Sequence, residues 1–260
     1  MKQEQIGRES LNPRLRAGNR DICLTLLGEA HSPWAVLVLP GGGYHMTAPR
    51  EGVPVAEAFA EAGFRAAVLE YSVSPDRWPQ AMLEAAAAVA LLRQRGARCV
   101  AVCGFSAGGH LAGSLANLWH SGVIAEQLGL EEELARPDAA ILCYPVITAK
   151  PPYGHPGSFV HLVGEGRAVP PPLSLEDSVG PDTPPAFLWV TGEDDSVPME
   201  NTLIYAGALR RAGVPFELHV YPKGPHAMAL ADERTRGWPE QQDPHVATWF
   251  PLCIQWLKGL

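Results

Sequence analysis

The Gly-Phe-Ser-Ala-Gly segment at residues 104–108 has the composition of a turn that exposes a nucleophilic serine. Residues 99–103 before it are apolar and prone to form a strand, and residues 110–119 after it carry apolar side chains at helical spacing. Glycines two positions before and two after the serine remove Cβ atoms that would clash in a sharp strand-to-helix turn. The segment therefore predicts Ser106 as a nucleophile whose hydroxyl stands above the edge of a sheet.

A serine nucleophile needs a base, and His226 is the candidate among nine histidines. It ends the loop 221–226, which directly follows the last apolar run, so its ring can reach the sheet edge. His110, in the helix after the serine, is expected to pack or hydrogen-bond locally. His45 and Tyr44 follow a run of glycines and are predicted to line a substrate pocket.

Three carboxylates compete for the role of orienting that histidine. Glu193, Asp194 and Asp195 lie just after the apolar run 186–191, where ligands of parallel sheets bind. Asp194 is favoured, because its Asp-x-x-Val-Pro spacing is similar to the acid loop of many serine hydrolases, and Asp195 is the alternative. An aspartate here would stabilise the cationic form of the base.

Three consecutive glycines, residues 41–43, follow another apolar run well upstream of the serine. Acyl transfer requires backbone amides aimed at the developing oxyanion, and glycines let the backbone approach a substrate closely. The amides of Gly42, Gly43 and Ala107 are therefore predicted to form an oxyanion hole.

These residues need a scaffold, and the apolar pattern predicts an α/β fold with a mostly parallel sheet covered by helices on both faces. Helices are predicted at 51–62, 80–95 and 201–212. Residues 145–185 are rich in proline and glycine, and a loop of this length predicts a lid or a pocket-forming segment. Strands are predicted at 22–27, 34–39, 65–71, 99–103, 139–144, 186–191 and 216–221.

Composition narrows the class of partner. The chain has 260 residues, of which 47% are hydrophobic, and this length is typical of one domain, predicted to span 1–260. The net charge of −8 argues against nucleic acid and anionic membranes and favours a small, neutral substrate. Self-association stays open.

The N-terminal twenty residues carry no apolar core of signal-peptide length, so a cytoplasmic location is expected. The five cysteines show no metal-binding or redox spacing and are expected to be reduced, with no metal and no cofactor in the site.

From residue 22 onward the sequence resembles α/β-hydrolases of the esterase/lipase superfamily, and in particular small bacterial acetylesterases described as acetylxylan-esterase-like. The resemblance rests on the segments 40–44, 50–52, 103–112, 182–185, 197–201 and 222–226. The chain order Ser106, Asp194, His226 is that of α/β-hydrolases. Pro40 departs from the histidine of the hormone-sensitive-lipase-like branch, and Pro225 replaces a common glycine.

This resemblance implies hydrolysis of short-chain acyl esters, with acetyl groups on xylo-oligosaccharides or other sugars as the expected substrates. Two alternatives share the fold, a serine peptidase of prolyl-oligopeptidase type and a non-catalytic binding scaffold. The chain is short for the first, which carries an extra domain, and retains every triad residue that the second would be expected to lack.

Overall fold

The computed structural model describes residues 3–28 and 32–260, built around one eight-stranded sheet. Residues 1, 2 and 29–31, which belong to the predicted 1–260 domain, lie outside the described residues. Numbered in chain order, the strands lie side by side in the sheet in the order 1-2-4-3-5-6-7-8. The first two strands run antiparallel to their neighbours and the other six are parallel to one another. The predicted α/β class with a mostly parallel sheet is confirmed.

The strands and helices alternate along most of the chain. The strands are β1 (Gln3–Gly7), β2 (Cys23–Leu27), β3 (Trp34–Leu39), β4 (Arg65–Glu70), β5 (Cys99–Phe105), β6 (Ala139–Cys143), β7 (Ala186–Thr191) and β8 (Phe216–Tyr221). The helices are α1 (Arg8–Leu11), α2 (Val53–Glu61), α3 (Gln80–Gln94), α4 (Ala107–Leu118), α5 (Val123–Leu128), α6 (Glu132–Ala135), α7 (Pro156–Val163), α8 (Glu200–Ala212) and α9 (Trp249–Gly259).

The central strands of the sheet are buried on both faces, as their near-continuous apolar sequences require. Successive residues of β3 point to opposite sides: Leu37 belongs to the buried cluster that includes residues of α3 and α4, whereas Val38 belongs to the cluster that includes residues of α2 and α9. The helices packed on the two faces hold the sheet in place, and its parallel strands bring the carboxyl ends of β3, β5, β7 and β8 to one edge. The loops that carry the predicted site residues all leave from that edge.

One helix begins later than the sequence predicts. The expected helix at 51–62 starts at Val53, and Glu51 belongs instead to a 3₁₀ turn, Pro49–Glu51, that precedes it. Gly52 separates the two with φ −101° and ψ −105°, a conformation outside the helical region. Glu51 is therefore free to turn its carboxylate inward, where it is 1% exposed.

The proline-rich segment 145–185 contains one helix, α7, and two 3₁₀ turns, Pro171–Leu173 and Leu175–Asp177. Leu173 and Leu175 are completely buried, and the Leu173 carbonyl accepts a hydrogen bond from the His110 ring, with a separation of 2.8 Å. This part of the segment is anchored on the core. Among the described residues, no helix combines the length and the apolar character needed to cross a membrane.

Candidate active site

The turn between β5 and α4 holds Ser106 in a strained conformation. Its φ is 53° and its ψ is −118°, values that a residue with a side chain rarely adopts. The flanking glycines have no space for a side chain: a Cβ on Gly104 would meet the Gly108 carbonyl oxygen at 2.1 Å, and one on Gly108 would meet the Leu39 oxygen at the same distance. The two glycines are therefore what lets the chain make this turn.

Three predicted residues from separate loops are joined by hydrogen bonds. The Oγ atom of Ser106 lies 2.9 Å from Nε2 of His226. The other ring nitrogen, Nδ1, lies 2.6 Å from Oδ2 of Asp194. In the neutral state, Nδ1–H donates to the carboxylate and Nε2 accepts from the serine hydroxyl, so the ring can remove the hydroxyl proton.

The acid loop distinguishes among the three competing carboxylates. The Asp194 side chain is fully buried, and its Oδ1 accepts the Ser196 and Val197 amides at 3.0 and 2.8 Å. Asp195 is exposed to solvent. Glu193 plays a different part, because its Oε2 accepts the Gly224 amide at 3.0 Å and so ties down the loop that carries His226.

The loop of His226 is tightly constrained. Gly224 has φ +123°, and a Cβ there would meet the Met228 sulfur at 2.4 Å. Ala227 follows at φ 62°, in the left-handed region that residues with a side chain rarely adopt. Pro225, the departure from the common glycine, lies between them, and the hydrogen bonds of His226 to Ser106 and Asp194 form with it in place.

The glycine run lies against the serine. Gly42 and Gly43 line the same cavity as Ser106, and within the described part of the chain neither amide donates a hydrogen bond to a protein group. Ala107 is the first residue of α4, so its amide has no partner inside the helix. None of the three amides predicted for the oxyanion hole is thus recorded as donating to a protein group among the described residues, and that of Ala107 lies at the positively polarised end of a helix.

A buried carboxylate that the sequence analysis did not single out positions this loop. Glu51 accepts the Gly41 amide through Oε2 and the Tyr144 hydroxyl through Oε1, both at 2.8 Å. The same hydroxyl accepts the Ala229 amide at 2.9 Å. One chain of bonds thus links the oxyanion loop, the end of β6 and the loop after His226. The side chain of Tyr144 also packs edge-on against the His226 ring, with ring centroids 5.0 Å apart.

The cavity over Ser106 has a volume of about 220 Å³. This is below the roughly 300–1,000 Å³ of typical small-molecule sites. Most of the residues that line it are glycines or carry a polar or charged side chain. The lining residues are Gly42, Gly43, Ala48, Arg50, Glu51, Ser106, His155, Ser196, His226 and Ala227. His155 comes from the proline-rich segment, so part of that segment forms the pocket.

Two predicted pocket residues do not line this cavity. Tyr44 is 2% exposed, and its hydroxyl donates to Nδ1 of His110 at 2.8 Å, beneath the oxyanion loop. His45 lies on the exposed surface, where its ring packs beside His161 with centroids 5.0 Å apart. Burial lowers the pKa of His110 to about 4, so its ring is neutral near pH 7 and serves as a structural group.

Comparison with known proteins agrees with this geometry. A family model described as an alpha/beta hydrolase fold matches residues 36–230. The chain is 37% identical over 216 residues to endo-1,4-beta-xylanase B of Butyrivibrio fibrisolvens, covering 78% of this chain and 34% of that protein. It is 29% identical over 247 residues to an acetylxylan esterase of Xylanibacter ruminicola, covering 90% and 46%. The chain thus spans between a third and a half of the length of these curated relatives.

This chain matches a larger share of one solved structure than of the two curated relatives. The acetyl ester-xyloside bifunctional hydrolase of Caldicellulosiruptor lactoaceticus has a TM-score of 0.79 and 34% identity, over 93% of this chain and 89% of that one. The match therefore extends over nearly the whole of both chains. With the family model matching most of the sequence, the chain belongs to the α/β-hydrolase family.

Proposed function

We propose that this chain is a serine esterase that hydrolyses short-chain acyl esters of sugars, with acetyl groups on xylo-oligosaccharides as the favoured class. The observation that carries the proposal is the continuous set of hydrogen bonds from Ser106 through His226 to Asp194, opening on a small cavity with free amides. The names of an acetylxylan esterase and an acetyl ester-xyloside hydrolase among its relatives support the substrate class.

The mechanism follows from the positions of these groups. His226 takes the Ser106 proton as the serine oxygen attacks the ester carbonyl, and the amides of Gly42, Gly43 and Ala107 stabilise the oxyanion. The protonated ring then gives its proton to the leaving alcohol. Water attacks the acyl-enzyme with the same histidine as base, and the acid leaves.

The size of the cavity favours a small acyl group. Long acyl chains bury their surface in extended apolar pockets, whereas this cavity is walled mainly by glycine, polar and charged residues. A scaffold without catalytic activity would have no use for a serine held at φ 53° beside a bonded histidine.

Hydrolysis of p-nitrophenyl acetate, butyrate and octanoate tests the proposal, with Ser106→Ala assayed in parallel. We expect kcat/KM to fall as the acyl chain lengthens, and all enzymatic turnover to be lost in the variant. A flat or rising dependence on chain length would contradict the short-chain assignment, and activity that survives in Ser106→Ala would contradict the nucleophile.

A further inference from the structure

His155 caps the helix α7 with its own side chain. Its Nδ1 accepts a hydrogen bond from the Ser158 amide at 3.2 Å, in the third position of the helix, and lies 2.8 Å from the Ser158 hydroxyl. Serine, threonine, aspartate and asparagine normally cap a helix in this way through a side-chain oxygen. Here a ring nitrogen does it, and the ring is half-buried.

This bond fixes which ring nitrogen of His155 carries the hydrogen. Because Nδ1 must accept from an amide N–H, the neutral ring carries its hydrogen on Nε2. A second proton on Nδ1 would break the cap and place a positive charge at the positive end of the helix. Burial, together with the nearby His226, also lowers the pKa of His155.

The Nε2–H group of His155 has no hydrogen-bond acceptor among the described residues of the protein. Within the described residues, the hydrogen bonds of the His155 ring all involve Nδ1. The ring lines the cavity that also contains Ser106 and His226. His155 therefore contributes a neutral N–H donor, held by a helix cap, to the lining of the cavity that contains the reacting atoms.

The acceptors of an ester in this cavity can be assigned by elimination. The carbonyl oxygen goes to the Gly42, Gly43 and Ala107 amides, and the ester oxygen receives its proton from His226. A short acyl group has no other acceptor. The remaining acceptor oxygens belong to the alcohol part of the substrate.

We infer that His155 is a specificity-determining residue, whose Nε2–H donates a hydrogen bond to a hydroxyl or ring oxygen of a polyhydroxylated alcohol. This inference rests on the proposed esterase function and assigns the recognition of its sugar part. It predicts that the enzyme prefers an acetylated sugar over an acetate of similar size without hydroxyl groups.

Two variants distinguish the role of the Nε2 donor of His155 from the role of its Nδ1 atom as a helix cap. Asparagine in His155→Asn places its side-chain oxygen near the position of Nδ1, so it keeps the cap and loses the Nε2 donor. Glutamine in His155→Gln places its amide nitrogen near Nε2 and loses the cap. The test compares kcat/KM for mono-O-acetyl methyl xyloside and for cyclohexyl acetate, with p-nitrophenyl acetate as the reference esterase assay and thermal unfolding as the structural control.

We expect His155→Asn to lower the ratio of kcat/KM for the acetylated xyloside to kcat/KM for cyclohexyl acetate by about 3- to 10-fold, the range of one neutral hydrogen bond, with Tm unchanged. His155→Gln should lower Tm and keep part of the preference for the xyloside. Equal effects of His155→Asn on both esters, or none on either, would overturn the inference.

The wild-type protein separates the two proposals. Hydrolysis of p-nitrophenyl acetate without preference for the xyloside over cyclohexyl acetate would overturn the role of His155 and leave the esterase function standing. No hydrolysis of any of the three esters would instead remove the proposed function, and the inference with it.

Discussion

Removal of the Tyr144 hydroxyl tests how the oxyanion loop and the histidine loop are held together. In Tyr144→Phe the ring still packs against His226, but Glu51 loses its donor at 2.8 Å and the Ala229 amide loses its acceptor at 2.9 Å. Both groups are buried, and an unsatisfied buried polar group costs about 1–3 kcal/mol. The free energy of unfolding should therefore fall by about 2–6 kcal/mol, the sum for the two groups.

Tyr205→Phe is the matched control, because Tyr205 is also completely buried and donates a single hydrogen bond, to Asn117 at 2.9 Å. The acceptor atom there keeps a second donor, the Thr183 hydroxyl, at 3.2 Å. The control should lose only about 1 kcal/mol. Urea unfolding at pH 7 measures both stabilities, and p-nitrophenyl acetate turnover measures the effect on the site.

Only Tyr144→Phe should also slow turnover, on the order of 10-fold, because small displacements of positioned catalytic groups are costly. Turnover in Tyr205→Phe should match the wild-type value. If the two variants lose equal stability and both keep full turnover, the bonds of the Tyr144 hydroxyl do not position the site.

Three further predictions concern the acid, the glycine loop and pH. Asp194→Asn should lower kcat by about 10⁴-fold, because the amide favours the wrong ring tautomer, and Asp195→Asn should leave it unchanged; the reverse result would assign the acid to Asp195. Gly42→Ala should lower turnover on the order of 10²- to 10³-fold, because its Cβ would lie 2.3 Å from the Met46 carbonyl oxygen, whereas Gly43→Ala meets no atom closer than 3.8 Å and should be milder. His110 has a folded-state pKa of about 4, below its ordinary value of 6.5, so its stabilising effect is complete above about pH 6.5 and is lost as the pH falls towards 4. The stability advantage of the wild type over His110→Gln should therefore shrink by about 3 kcal/mol between pH 7 and pH 4, and parallel unfolding curves would contradict this.

Local patterns were sufficient for the elements that carry the site. The apolar runs before Ser106, Asp194 and His226 each end at a strand terminus, and parallel strands bring those termini to one edge of the sheet. The sequence places these three residues in the correct loops for that reason. It also placed Gly42 and Gly43 in the loop after β3.

Local sequence patterns do not predict which side chains meet when they are far apart in the chain. Glu51 and Tyr144 are 93 residues apart, and neither neighbourhood indicates that their side chains meet. The sequence pattern placed Glu51 in the first turn of a helix, where an exposed acid is common. Tyr44 and His45 were expected in the pocket because they follow the glycines, but the positive φ of Gly43 and Tyr44, 62° and 56°, turns the chain so that one is buried and the other faces outward.

The sequence pattern also did not indicate that His155 lines the cavity. The segment 145–185 was expected to form a lid or a pocket, yet which of its residues would enter the cavity depends on where α7 begins. Pro156 can start a helix at its first position, and the residue before it then becomes the cap. The mobility of the segment as a lid stays a prediction.

In the proposed mechanism, His226 and Asp194 activate Ser106 as a nucleophile. Intact-protein mass spectrometry after reaction with a fluorophosphonate probe tests this activation, with peptide mapping of the modified site. We predict one equivalent of label on Ser106, no label in Ser106→Ala, and much slower labelling in His226→Ala. Labelling of a different residue, or equal rates in the wild type and His226→Ala, would contradict this assignment.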